Sequence, residues 1–142
     1  HITTTAKIKH KFEFIHDELA FNYRMPNINA VLGLAQLENL ETFIKKKRIL
    51  AKNYQKLFEN MGIPIFKEPT NSRSNYWLNC IILKNSKEKN KFLEIANEKG
   101  VMARPIWTLM NNLKIYQKCQ SDKLINSRLL YDKVVCLPSG VA

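Results

Sequence analysis

The chain has 142 residues, 45% of them hydrophobic, with only 4 Gly and 5 Pro. That is apolar material enough for a folded core, and it excludes collagen-like and low-complexity classes. Its 23 Lys and Arg against 12 Asp and Glu leave a net charge of +11, which suits phosphates, nucleic acid or an anionic membrane surface and selects none of them. No apolar run approaches the ~20 residues that cross a bilayer, which excludes a transmembrane helix.

Residues 1–25 show no sustained period and read as a loop or extended segment holding all three histidines. Pro26 suits the first turn of a helix, where its missing N–H would be unpaired in any case. From it a helical pattern runs to about residue 61, with Ile28, Val31, Leu32 and Ala35 on one stripe and Leu40, Phe43, Leu50, Tyr54, Leu57 and Met61 on another. Gly62 supplies the stop. Such a helix is roughly 54 Å long at 1.5 Å per residue, a length that connects two bodies or lies along a partner.

After Gly62 the period shortens. Ile63, Ile65 and Phe66 predict a short strand, Pro69–Ser72 a turn, and Tyr76–Leu83 a buried strand that takes Tyr76 and Trp77 into the core. Ser86 is placed to cap a helix carrying Phe92, Leu93, Ile95 and Ala96, closed by Gly100. Val101–Ala103 predicts a strand, 111–118 a looser helical stretch, 121–132 a helix and Val134–Leu137 a last strand. Residues 63–142 therefore read as a small α+β unit with one sheet face covered.

The 3 cysteines, Cys80, Cys119 and Cys136, form neither a disulfide framework nor a zinc pattern. Cys80 and Cys136 sit in apolar runs, where Cys behaves as a small buried hydrophobe. With no apolar signal-peptide core at the start, these features predict a reducing, cytoplasmic location. A first residue other than Met and a last apolar run broken at Pro138-Ser139-Gly140 read as a piece of a longer polypeptide.

Four groups could carry chemistry. Asn22 and Arg24, just ahead of the long helix, pair an amide donor with a guanidinium and suit a phosphate, or else cap a turn and make a surface ion pair. Lys45-Lys46-Lys47-Arg48 could grip a nucleic-acid backbone, but four consecutive helical residues point around the axis and no aromatic stacking platform is interleaved, so a solvated face is the plainer reading. His10 and His16, with Asp17 and Glu18 nearby, lack the third ligand of a metal site; His16 reads as an acid/base element or a hydrogen-bonded loop residue. Arg104 and Trp107 follow a strand, where an arginine with an aromatic can hold a sugar or phosphate, or where the indole covers the sheet edge. Phosphate-loop, dinucleotide-binding and nucleophile-elbow motifs are all missing.

The run Phe21-Asn22-Tyr23-Arg24-Met25-Pro26 followed by Ile28, Ala30, Gly33, Gln36 and Leu37 closely resembles a stretch of the DegT/StrS sugar-nucleotide aminotransferases. His1–Lys7 and His16-Asp17-Glu18 look most like the branch that makes 4-amino sugars for legionaminic acid and related nonulosonates. Lys47-Arg48 before Tyr54, Gly100-Val101 before Arg104-Pro105, and Cys136-Leu137-Pro138-Ser139 continue the resemblance in order. Ala20 stands where many members have Gly.

The resemblance implies the C-terminal part of a fold-type I, aspartate aminotransferase-like enzyme. Residues 1–25 would leave a large α/β domain that is not part of this sequence, 26–62 would be the bridging helix, and 63–142 a small α+β domain incomplete at its C-terminus. The cofactor implied is pyridoxal 5'-phosphate, held through a Schiff base by a lysine upstream of His1. Asn22 and Arg24 would reach the cofactor phosphate of the partner subunit in a homodimer. His16, Arg104 and Trp107 would contact the nucleotide-sugar substrate. The activity implied is transfer of an amino group, from glutamate, to a nucleotide-linked 4-keto-6-deoxy sugar in surface-polysaccharide or nonulosonate biosynthesis, without nucleic acid, metal or membrane insertion. The rival readings are a basic nucleic-acid-binding module and a non-catalytic dimerisation remnant.

Overall fold

The computed structural model describes residues 11–12 and 25–140. The chain divides into two units, His1–Leu40 and Glu41–Ala142. In the first, the helix α1 (Asn27–Asn60) begins behind Pro26, whose carbonyl accepts the Ala30 N–H at 3.0 Å. The predicted stripe is present and uncovered among the described residues: Ile28 is 71% exposed, Val31 64% and Leu32 63%.

The second unit takes up the rest of α1 from Glu41. Here the helix buries Ala51 and Phe58. It ends where Gly62 adopts φ +66°, letting the Ile63 N–H reach back to the Phe58 carbonyl at 2.9 Å; a side chain at Gly62 would be strained in that left-handed conformation. The strand predicted over 63–66 is reduced to one bridge, Ile65 to Ile81. The Phe66 N–H donates to the Cys80 carbonyl and the Ile82 N–H to the Pro64 carbonyl, but Pro64 has no N–H to return, and the ladder stops.

The predicted strand over 76–83 is also shorter. Its β-structure is β1 (Asn79–Ile82), because Tyr76 adopts φ +47°, outside the extended region. The helix α2 (Ser86–Glu98) is capped by Asn85 rather than Ser86, with the Asn85 Oδ1 accepting the Glu88 N–H at 2.9 Å. Gly100, at φ +76°, turns the chain out of it.

The next strand lies one step beyond the predicted Val101–Ala103: β2 is Arg104–Pro105, with Ala103 buried just before it. The looser helical stretch is two 3-10 turns, Met110–Asn112 and Lys114–Tyr116. The helix α3 (Ile125–Lys133) starts late because Leu124 sits at φ +50°. The last strand, β3 (Val134–Leu137), is where the sequence puts it.

The three strands form an antiparallel sheet in the order β1-β3-β2. Alternation sends Ile81, Leu83, Val135 and Leu137 to one face, where Phe58 of α1 and Ala103 complete a buried cluster. Tyr54 from α1 and Phe92, Leu93 and Ala96 from α2 pack around it. The central strand β3 is buried at all four positions.

Ile81 is fully buried at the middle of this cluster. Ile81→Ala removes three heavy atoms that the surroundings cannot replace, and lowers the unfolding free energy by about 2–5 kcal/mol. Urea denaturation of the two chains measures this; a loss below about 1 kcal/mol would place Ile81 outside the cooperative core.

Candidate functional site

Two consecutive residues of α1 hold the loop over 68–77. Lys47 and Arg48 are half-buried rather than solvated. Lys47 Nζ donates to the Ser139 carbonyl at 2.7 Å, the Trp77 carbonyl at 3.2 Å and the Tyr76 carbonyl at 3.4 Å, so one ammonium uses its three donors to join two distant segments. Arg48 makes a two-pronged pair with Glu68, at 2.7 and 3.1 Å, and also donates to the Ser74 carbonyl at 2.7 Å. The Ser74 N–H donates in turn to the Glu68 carboxylate.

Arg48 also lies over the Tyr76 ring, 5.5 Å from its centroid. The Tyr76 hydroxyl accepts the Glu68 N–H at 3.3 Å, and the Ser74 hydroxyl accepts the Tyr76 N–H at 3.0 Å. An aromatic residue held in the left-handed region is strained, and this set of bonds holds it there. The Arg48 guanidinium, helped by the Ser74 N–H, holds the Glu68 carboxyl down at about 2, and the same hydrogen bond raises Arg48.

The loop delivers Trp77 to the surface. Instead of entering the core as the sequence predicts, Trp77 is 64% exposed and stacks on Trp107, itself 66% exposed, with centroids 5.7 Å apart and planes 28° from parallel. Trp107 and Arg104 line one side of a cavity of about 560 Å³, with Leu78, Met102, Cys136 and Ser139. Arg104 is exposed and spends Nη1 on the Asn97 Oδ1 at 2.9 Å, while Asn97 Nδ2 is tied to the Leu93 and Ala103 carbonyls. A flat aromatic wall and a braced guanidinium can take a planar ring and an anion.

Arg104 and Trp107 therefore meet at one cavity. His16, Asn22 and Arg24 lie outside the described residues. The run Lys45–Arg48 is divided: Lys47 and Arg48 are committed to internal acceptors, which removes half of the row that a nucleic-acid backbone would grip. Reasoning from the sequence missed Glu68 and Trp77. Glu68 is 20 positions from Arg48, and no local period links them; a Trp preceded by a polar, turn-rich stretch was the available hint for Trp77. Among the described residues, no helix is long and apolar enough to cross a membrane, and no three His, Cys, Asp or Glu side chains group as a metal site.

The sequence family described as DegT/DnrJ/EryC1/StrS aminotransferases matches residues 3–142. GDP-perosamine synthase of Escherichia coli O157:H7 is 30% identical over 106 residues, covering 75% of this chain and 29% of that protein. The Escherichia coli dTDP-4-amino-4,6-dideoxy-D-glucose transaminase is 31% identical over 136 residues, covering 87% of this chain and 37% of the relative. Among solved structures, Helicobacter pylori PseC, an aminotransferase of pseudaminic acid biosynthesis, superposes with a TM-score of 0.81 at 20% identity, over 94% of this chain and 37% of its own. The Streptococcus pneumoniae putative sugar aminotransferase Spr1654 in its PLP form gives 0.81 at 17%, over 97% and 36%. The fold is thus a mixed helix-and-sheet part of a fold-type I aminotransferase, and the chain spans about a third of the length of the relatives it matches.

The Glu68 carboxyl, held at about 2, stabilises the fold fully above its unfolded value of roughly 4.3 and loses that contribution as pH falls toward its folded value. Glu68→Gln accordingly lowers the denaturation midpoint at pH 7, and the gap to the parent chain narrows between about pH 4 and pH 2. A gap that stays constant across this window would show that the ion pair does not hold the loop.

Proposed function

The chain belongs to the DegT/DnrJ/EryC1/StrS aminotransferase family, and on that premise we propose that the intact protein transfers an amino group from glutamate to a nucleotide-linked 4-keto-6-deoxy sugar in surface-polysaccharide or nonulosonate biosynthesis. The observation that carries this reading is the family match over residues 3–142. The names of the relatives support the substrate class: one is a GDP-perosamine synthase and another a dTDP-amino-sugar transaminase. In this reading the 142 residues are the C-terminal part of a cytoplasmic homodimeric enzyme, with 1–25 leaving a large domain, 26–62 bridging, and 63–142 forming the small domain. The uncovered apolar residues Ile28, Val31 and Leu32 are then surface that the rest of the protein covers.

Pyridoxal phosphate, when bound, supplies an electron sink for the bond changes at the substrate carbon. The chain's own part is binding and orientation. Asn22 and Arg24 offer an amide donor and a guanidinium, a donor set that fits a phosphate dianion, and they hold the cofactor phosphate of the partner subunit. Arg104 keeps a guanidinium edge for the substrate diphosphate while Asn97 fixes the other. Trp107, stacked on Trp77, offers an aromatic face to the nucleotide sugar, and His16 hydrogen-bonds the same substrate. In this reading the covalent anchor for the cofactor is a lysine upstream of His1; within this chain Lys47 is spent on three carbonyl oxygens and Lys89 donates to the Tyr131 carbonyl.

Treating the 142-residue chain with pyridoxal phosphate and borohydride, then mapping peptides, is expected to give no specific pyridoxyl-lysine. One lysine modified selectively would contradict the assignment of the anchor to another part of the protein. In the complete polypeptide, Arg24→Gln weakens cofactor retention by about tenfold or more, the loss of one charge-assisted contact. Assay of the complete parent enzyme with glutamate and a nucleotide-linked 4-keto sugar tests the reaction itself; no amino-sugar product would sink the substrate class.

A further inference from the structure

The sheet brings together two cysteines that the aminotransferase reading does not use. Cys80 of β1 and Cys136 of β3 are direct register partners, and the Cys80 thiol donates to the Cys136 Sγ at 3.5 Å. They are 56 positions apart, so the fold and not the local chain makes the pair.

The backbone pattern makes this position suited to a covalent bridge. The Cys80 carbonyl accepts from Phe66 and the Ile82 N–H donates to Pro64, so these two residues turn their main-chain groups away from β3. The Leu83 N–H donates across to the Lys133 carbonyl at 2.9 Å. In an antiparallel pair such bonds alternate, which leaves Cys80 and Cys136 as a non-hydrogen-bonded couple. Couples of this kind bring Cα atoms to about 4.5 Å, inside the range a disulfide spans.

The pair lies on the sheet face away from the core, with Cys80 half-exposed and Cys136 only 6% exposed. Ile81 and Val135 point into the core, so Cys80 and Cys136 occupy the other face of the sheet. Cys136 lines the cavity that carries Arg104 and Trp107. Among the described residues these two thiols belong to no larger group of metal-ligating side chains. A pair of thiols without further ligands is suited to two-electron chemistry rather than to a tetrahedral metal.

We propose that Cys80 and Cys136 are a redox-active dithiol that closes to a cross-strand disulfide beside this cavity, with Cys119 outside the reaction. A small-molecule disulfide is the oxidant. One protein thiol, after losing its proton to water, attacks a sulfur of that disulfide and releases the first small thiolate. The second protein sulfur, deprotonated in turn, attacks the first protein sulfur of the mixed disulfide, forming the Cys80–Cys136 bond and releasing the remaining small thiolate. Two S–H bonds break and one S–S bond forms in the protein, while one small disulfide is reduced to two thiols. The sulfurs approach to about 2.05 Å, which ties the edge strand β1 to the central strand β3. Burial pushes the Cys80 thiol up to about 12, so the resting form is the thiol and closure is slow until the oxidant is in excess.

The test is oxidation of the native 142-residue chain with excess oxidised glutathione, quenching, alkylation of remaining thiols and peptide mapping by mass spectrometry. A loss of about 2 Da is expected, with the Cys80–Cys136 peptide at least about tenfold above any pairing to Cys119, and reversal by reductant. The same oxidation in denaturant gives a mixture that includes Cys119 pairs. Recovery of Cys80 and Cys136 as separately alkylated or glutathione-bound peptides would overturn the proposal, as would native pairings that match the denatured mixture. Cys119→Ser is expected to keep the mass loss and Cys80→Ser to abolish it. If Cys80→Ser does not fold, the map of the parent chain decides alone.

Discussion

The second unit depends on two adjacent cations of α1 that reach in different directions. Successive helical residues are rotated by about 100°, so Lys47 and Arg48 leave the helix in different directions and both reach Tyr76, Lys47 at its carbonyl and Arg48 at its ring. Lys47 takes three carbonyl oxygens from the ends of two segments, and Arg48 takes the Glu68 carboxylate and the Ser74 carbonyl. Between them they fix both ends of a loop that has no regular structure of its own. Tyr76 can then occupy a backbone region that its side chain disfavours, since the cost is offset by the bonds to its main chain, its hydroxyl and its ring face.

What this anchoring positions is an aromatic surface. Trp77 follows Tyr76 directly, and its ring is set against Trp107 from beyond β2. Arg104 belongs to β2 itself and is braced by Asn97 from α2. Residues of β2, β3 and the loops beside them line one cavity, with Asn97 of α2 bracing Arg104 at its wall. The polar Ser139 beneath it is satisfied within the protein: its hydroxyl accepts from the Asn79 main-chain and side-chain nitrogens and donates to the Leu137 carbonyl.

Elements whose signal is local were legible in the sequence. The long helix, its glycine stop, α2 and β3 follow from period and punctuation, and the family resemblance over 20–38 follows from a dense set of residues. Elements whose ends are set by backbone exceptions were not. The strand before Leu83 starts late because of a left-handed Tyr76, α3 starts late because of a left-handed Leu124, and the 63–66 strand fails at a proline that lacks one donor. Arg104 and Trp107, singled out because they follow the predicted 101–103 strand, line one cavity; Trp77 was misread as core because hydrophobicity says nothing about which aromatic the loop turns outward. Lys47 and Arg48 were misread as solvated because the partners that claim them lie 20 to 92 positions away.

The sheet order has a consequence for how the chain is made. Val134–Leu137 is the last strand in sequence and the middle strand in space. Neither Asn79–Ile82 nor Arg104–Pro105 has its β3 neighbour until that segment exists, so the sheet closes late and all at once. Until residues 134–137 leave the ribosome, β1 and β2 are made but lack their common partner. Nascent chains of this kind expose strand edges until the shared strand arrives, and deletion of Val134–Leu137 would remove the partner of both remaining strands at once.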